Sequence, residues 1–365
     1  MTTLVCKRDP VFDIVRAFLM YFVICGHLIA TGIISPPDSP PPSWIGSMVV
    51  GASMPCFFAI SGLFSAKNFE MRNWPKIAAR TIGFLWPIAS FGVLFGVMTM
   101  IYCRDIKVLV STVWHFFNNL WFLRTLVFIN LISAGVFLLS NTIHGRLVLF
   151  FIIYAMLIFL SQSVVPLSRW WKSVMHMLPY FVFGLFFLRR CIQHSAIWFA
   201  IVSSAFFISI SLLEGPIQTN GMGFYWVDHS LTSMFLTKRG LVCFFGRTAM
   251  GVTGTIFLLW VFRWLLNKAG WLSYLSHLGT TTLGVYTIHQ WILARVGTHF
   301  HPPFPFPNGW KWLIAGIVFL ICHSIILLIC RNRFTKEYFF GNESMLHRVL
   351  EQIFVFRNNV SSSTQ

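Results

Sequence analysis

Asp13, Arg16 and His27 lie in one long apolar run, residues 11–32 (VFDIVRAFLMYFVICGHLIATG). The run is long enough to span a bilayer, and each ionisable group inside such a segment is costly. Asp13 and Arg16 are three apart, so on a helix they are neighbours able to neutralise one another. Arg16 and His27 are eleven apart, about three turns, and return to nearly one face about 16 Å apart along the axis. A single helical stripe thus carries a cation near one membrane surface and an imidazole deeper in. That pattern suits a site better than an anchor.

Three further clusters follow. In MPCFFAISGLFSAK (residues 54–67), Ser61 and Gly62 permit close backbone approach just before Lys67. Arg72, Lys76 and Arg80 then recur at intervals of four, one cationic stripe on a helix, suited to a multiply phosphorylated anion or to lipid headgroups. In NNLWFLRTL (118–126), Trp121 reads as an interfacial anchor, while Arg124, a turn further in, needs a partner or a wet cavity. In TTTLGVYTIHQWIL (280–293), Tyr286 and His289 share a face. Glu214, Asp228 and His229 read as solvated loop residues, and His299 with His301 lacks a third metal ligand. No metal site is expected. Nucleotide-binding loops, serine-hydrolase elbows and zinc-protease motifs are missing from the sequence.

The elements that must position these residues follow from composition. Of 365 residues, 56% are hydrophobic and only 10% charged, against about 25% charged in soluble domains. This is the composition of an integral membrane protein. The net charge of +17 then reports topology and anionic headgroups rather than nucleic acid. The eight cysteines stand singly, with no CxxC pair, and give a disulfide framework or zinc site no support.

Ten spans are expected, near residues 11–32, 46–65, 81–102, 120–139, 147–165, 173–188, 195–213, 241–262, 278–296 and 310–330. A basic stretch (AKNFEMRNWPKIAAR) follows the second span, and a basic loop with Arg263 and Lys268 follows the eighth. By the positive-inside rule these segments and both termini are cytoplasmic, with the proline-rich turns outside. The fold expected is an all-α polytopic bundle of about ten transmembrane helices. Residues 1–335 would form the membrane domain, and 336–365 a basic cytoplasmic tail, partly disordered.

In this order the motifs resemble acyltransferase family three, a family of integral-membrane enzymes. Asp13, Arg16 and His27 are similar to its DxxR and R-x10-H signature, and FFAISG (57–62) to its FFxISG segment. RNWPKIAARTIGFLWP (72–87) resembles its basic loop and proline-bearing third helix. LWFL (120–123), LPYFVFGLFF (178–187) and GVYTIH (284–289) resemble its later segments. Asn119 stands where members often carry His, and Thr281 and Thr282 lie where Ser often precedes the tyrosine.

The resemblance implies transfer of an acyl group, usually acetyl and sometimes succinyl, from acyl-coenzyme A to a hydroxyl of an envelope carbohydrate or lipid-linked glycan. The setting would be a bacterial inner membrane. No cofactor would be bound permanently; acetyl-coenzyme A would be a co-substrate. His27 would act as base or brief acyl carrier, with Arg16 orienting the site and Asp13 holding Arg16. Lys67, Arg72, Lys76 and Arg80 would meet the coenzyme A phosphates. Tyr286 and His289 would complete the site, with Ser61, Trp121 and Arg124 along the substrate path. A glycan or lipid transporter is the rival reading, since buried charges also line translocation paths.

Overall fold

The computed structural model describes residues 9–30, 44–163, 168–193, 198, 201–205, 238–299, 310–341 and 346–352, and every element among them is helical. Most of the expected seventh span lies outside the described residues. So do the proline-rich turns, Glu214, Asp228, His229, His301 and the final VSSSTQ. The helices are α1 (Pro10–Ala30), α2 (Trp44–Glu70), α3 (Trp74–Cys103), α4 (Ile106–Asn119), α5 (Trp121–Leu139) and α6 (Ile143–Ser163). A second group follows: α7 (Ser168–Phe183), running through a π turn into α8 (Arg189–Gln193), then α9 (Lys238–Lys268) and α10 (Ser276–Thr280). The last are α11 (Thr282–His299), α12 (Lys311–Arg331) and α13 (Arg333–Phe340).

Six helical segments among the described residues are long and apolar enough to cross a membrane: Pro10–Leu28, Trp74–Cys103, Trp121–Leu139, Ser173–Ile192, Thr248–Lys268 and Trp312–Arg331. The protein is therefore a multi-pass helical membrane protein. On Trp312–Arg331 the side chains of Leu313, Leu320 and Leu328 stand exposed, as lipid-facing residues do.

The helices run past the expected span edges. The basic stretch after the second span contains only three linking residues, Met71, Arg72 and Asn73. Lys67 lies in the last turn of α2, and Lys76 and Arg80 lie in the first turns of α3. Asn73 caps α3 by accepting from the Lys76 N–H (3.2 Å), and Arg72 makes the reversal at φ 49°. Arg263, expected in a loop, lies within α9. Residues 106–119, read as no span, form α4, which packs on α3 and is capped by Asp105 at the Lys107 N–H (2.8 Å). Ala, Leu, Lys and Arg continue a helix into water as readily as they start one.

The chain forms two compact units. The first comprises Met1–Ile60, Phe187–Tyr225 and Val242–Leu327, the second Ser61–Phe186, Trp226–Leu241 and Leu328–Gln365. In the first, α1 packs along α10 and α11, burying Val15, Leu19, Ile24 and Leu28. The contact is backbone to backbone: a Cβ on Gly279 of α10 would overlap the Asp13 carbonyl of α1. In the second, α5 packs against α3, α6 and α7. Phe137 stacks on Phe186 with ring centroids 6.0 Å apart and meets Phe69 at 5.1 Å. Gly62 of α2 lies against the backbone of α7, where a Cβ would overlap the Phe181 carbonyl and come within 3.0 Å of the Leu185 nitrogen.

Gly62→Val therefore forces α2 off α7, and we expect it to cost at least about 1–3 kcal/mol as overpacking, lowering the unfolding midpoint in detergent. Gly135→Ala on α5 meets nothing within 4 Å and should stabilise by up to about 1 kcal/mol. Equal behaviour of the two variants would contradict the close α2–α7 contact.

Candidate active site

The first unit gathers five of the residues singled out in the sequence. Asp13, almost fully buried on the first turn of α1, forms an ion pair with Arg16 one turn on. The Arg16 side chain is 20% exposed, and its Nε–H also donates to the Phe12 carbonyl (3.3 Å). The pair is anchored from outside: α10 presses Gly279 onto the Asp13 backbone. Just before α1, Asp9 bonds the Val11 N–H (3.0 Å) and pairs with Arg263 of α9.

About 16 Å along the same helix, half-buried His27 meets α11. Its ring lies 5.2 Å, centroid to centroid, from that of His289, which in turn lies 5.7 Å from Tyr286. His289 is completely buried. Its Nδ1 is 3.0 Å from the Val285 carbonyl, and since a carbonyl only accepts, Nδ1 carries the proton. In the neutral ring Nε2 is then a lone-pair acceptor, and it has no hydrogen-bond partner among the described residues. An imidazole nitrogen with its lone pair unused, beside a second imidazole, is able to accept a hydrogen bond from a hydroxyl.

One contact was not anticipated from sequence. Gln290, next to His289, places its amide Nε2 3.1 Å from Nε2 of His27. It sits within the quoted motif, but as an uncharged residue it drew no attention.

The remaining candidates lie in the second unit. Ser61 uses its carbonyl to accept from Ser65 Oγ (2.8 Å). Lys67 and Lys76 are exposed, and the Arg80 guanidinium lies 5.8 Å from the Phe84 ring centroid. Arg72 instead turns onto the end of α5, donating to the Phe137 carbonyl (3.1 Å) and to Asn141. Arg146 joins it there, bonding the Ser140 carbonyl (3.0 Å) with its guanidinium 4.0 Å from the Phe137 ring centroid. Trp121 meets Phe122 edge to face. Arg124 is buried, bonds Asn118 Oδ1 (3.1 Å) and lies near the Phe117 ring. The partner that a buried arginine requires is thus supplied by the residues just before its own helix.

No group of three or more metal-ligating side chains occurs among the described residues. The fold and this arrangement define a polytopic membrane protein with an ion pair and two adjoining imidazoles buried among its helices. A family model described as an acyltransferase domain matches residues 9–329, and the chain belongs to that family, acyltransferase family three. Neither a curated protein nor a solved structure matches it.

The Asp13–Arg16 pair gives a measurable expectation. Asp13→Ala leaves a largely buried guanidinium without its carboxylate, which we expect to cost about 3 kcal/mol in unfolding experiments in detergent. Asp13→Asn keeps an oxygen acceptor and should lose less than half of that. Equal losses would mean that packing, not pairing, holds Asp13.

Proposed function

We propose that this membrane acyltransferase moves an acetyl or succinyl group from acyl-coenzyme A to a hydroxyl of an envelope carbohydrate or lipid-linked glycan. Its setting is a bacterial inner membrane, with both termini cytoplasmic. The observation that carries the reading is the pair of adjoining imidazoles, His27 and His289, on packed helices α1 and α11.

A sugar hydroxyl is a poor nucleophile at neutral pH until a positioned base takes its proton. In the proposed step His27 takes that proton as the oxygen bonds to the thioester carbonyl carbon. The carbon–sulfur bond then breaks, and the departing thiolate takes the proton back from His27. Nε2 of His289 is an acceptor for a neighbouring hydroxyl of the acceptor sugar, while Tyr286 fixes the His289 side of the site. Arg16, paired with Asp13 three turns away, suits the anionic part of a long donor whose reactive end reaches His27. Exposed Lys67 and Lys76, with Arg80, are the second-unit cations assigned to the donor phosphates. Arg72 is assigned mainly to holding α5, because its guanidinium is already bonded there. Ser61, Trp121 and Arg124 are assigned to the acceptor path.

The test is transfer of radiolabelled acetyl or succinyl from the coenzyme A thioester into envelope glycans, in inverted vesicles with matched protein levels. We expect His27→Ala and Arg16→Ala each to lower transfer at least about 100-fold, the scale of general acid–base catalysis. Undiminished transfer in His27→Ala would remove that histidine from the chemistry, and glycan movement without a new ester would make the protein a transporter.

The phosphate assignment has its own readout. Lys67→Ala and Lys76→Ala should each raise the donor KM several-fold with kcat nearly unchanged. A fall in kcat alone would place these lysines elsewhere in the cycle.

A further inference from the structure

We propose that Gln290 is a positioning residue for His27, its amide presenting opposite ends to the ring as the ring gains and loses a proton. This rests on the reading of His27 as the base of acyl transfer, and it adds a residue that neither the family motif nor the charge pattern singles out.

The geometry is specific. Successive residues on a helix point about 100° apart, and His289 and Gln290 use that difference to reach His27 in two ways. His289 lies beside the ring at 5.2 Å, and Gln290 reaches its Nε2 at 3.1 Å. With the Gln290 NH2 donating, Nε2 of His27 is the acceptor, and the proton of the neutral ring sits on Nδ1. The single lone pair of Nε2 then points at the Gln290 amide, so a substrate hydroxyl takes the place of that N–H before Nε2 receives its proton.

Once Nε2 is protonated it needs an acceptor in the place where it had a donor. A half-turn about the last side-chain torsion of Gln290 puts Oε1 there, and that torsion is broad and roughly two-fold. Glutamine can therefore serve both states of the ring. A carboxylate can only accept, so it would serve Nε2 when that nitrogen carries a proton and not when it holds the lone pair, and an aliphatic side chain would serve neither. His289 cannot serve both states, because its Nδ1–H is committed to the Val285 carbonyl and its Nε2 can only accept.

Titratable groups also stand near this contact. From α11 the titratable groups at this level are His289 and Tyr286. On α1 itself, Cys25 is two residues away and Tyr21 donates to the Trp312 carbonyl (2.7 Å). Arg295 and His299 follow further along α11, and three more on packed elements lie toward the Asp13 end of α1. Arg263 of α9 pairs with Asp9, His323 of α12 bonds Thr281 (2.7 Å), and His277 of α10 lies two residues from Gly279.

The experiment uses the full-length protein in detergent or vesicles, in wild type, Gln290→Glu and Gln290→Leu. Carbethoxylation of His27 by diethyl pyrocarbonate, followed by peptide mass spectrometry against pH, reads the protonation of this ring without any transfer assay. Only the neutral ring reacts. In Gln290→Glu a carboxylate beside the ring favours its charged form, so the reactivity midpoint should move to higher pH by at least about one unit, the scale of an adjacent opposite charge.

Transfer assays should show the acid limb of kcat/KM moving the same way. In Gln290→Leu, kcat should fall at least ten-fold with the donor KM unchanged, since the ring loses its partner and not the donor site. Unchanged midpoints and unchanged kcat in both folded variants would overturn the proposal. If His27 reactivity shifts as expected while wild type transfers no acyl group from any donor, the Gln290–His27 coupling stands and the acyltransferase reading of this site falls.

Discussion

Inside a bilayer every polar group must find its partner within the protein, because hydrocarbon offers none. The first unit is arranged around that constraint. Asp13 and Arg16 neutralise one another on α1, Tyr21 donates to the Trp312 carbonyl, and Thr281 meets His323. The last two links tie α1, and the junction before α11, to α12. Polar side chains that would be costs in isolation therefore also fix the relative positions of the helices. Gly279 lets α10 press onto the Asp13 backbone, so the carboxylate is held by packing as well as by charge. His289 Nε2 breaks the pattern: it is buried and has no partner among the described residues.

The second unit meets the same constraint at helix ends. The last carbonyls of a helix are unsatisfied and carry partial negative charge. Arg72 and Arg146 both bond carbonyls at the end of α5, so Arg72, which looks like an anion ligand in the sequence, also holds a helix end. At the other end of this unit's chain, α13 is held by its carbonyls. Trp86 donates its indole N–H to the Tyr338 carbonyl (2.7 Å) and Ser90 its hydroxyl to that of Phe339 (2.9 Å), while Phe91 packs on the Phe339 ring at 4.7 Å. A segment that composition assigns largely to a basic tail thus begins as a docked helix.

What could be read in the sequence divides along physical lines. The α1 stripe was legible because three ionisable residues in an apolar run leave few alternatives, and helical spacing alone puts Asp13 beside Arg16. The pairing of Tyr286 with His289 was legible for the same reason. That His27 meets His289 was not, because their separation in sequence carries no information about helix packing. Gln290 was invisible because an uncharged amide is an ordinary residue until a ring nitrogen is found beside it. Span edges failed in a consistent direction: hydropathy marks where the membrane ends, whereas Lys67, Lys76 and Arg263 continue their helices beyond it. α4 escaped notice because an amphipathic helix packed along a neighbour carries too little continuous apolar length to read as a span.

The dryness that makes these polar groups costly also favours the chemistry assigned to them. A thioester held beside an activated hydroxyl will be lost to water if water can enter, and a site walled by apolar helices limits that side reaction. The same environment penalises a charged imidazole, so a base working there needs a neighbour that can stabilise the proton it takes for the lifetime of one transfer. A carboxylate would hold that proton too firmly and keep the base protonated before the hydroxyl arrives. An amide whose two ends differ in sign supports the charged ring without preparing it in advance. Placing a glutamine against His27, with the carboxylate Asp13 kept about four turns away and already paired, separates the group proposed to change its charge from the group that keeps it.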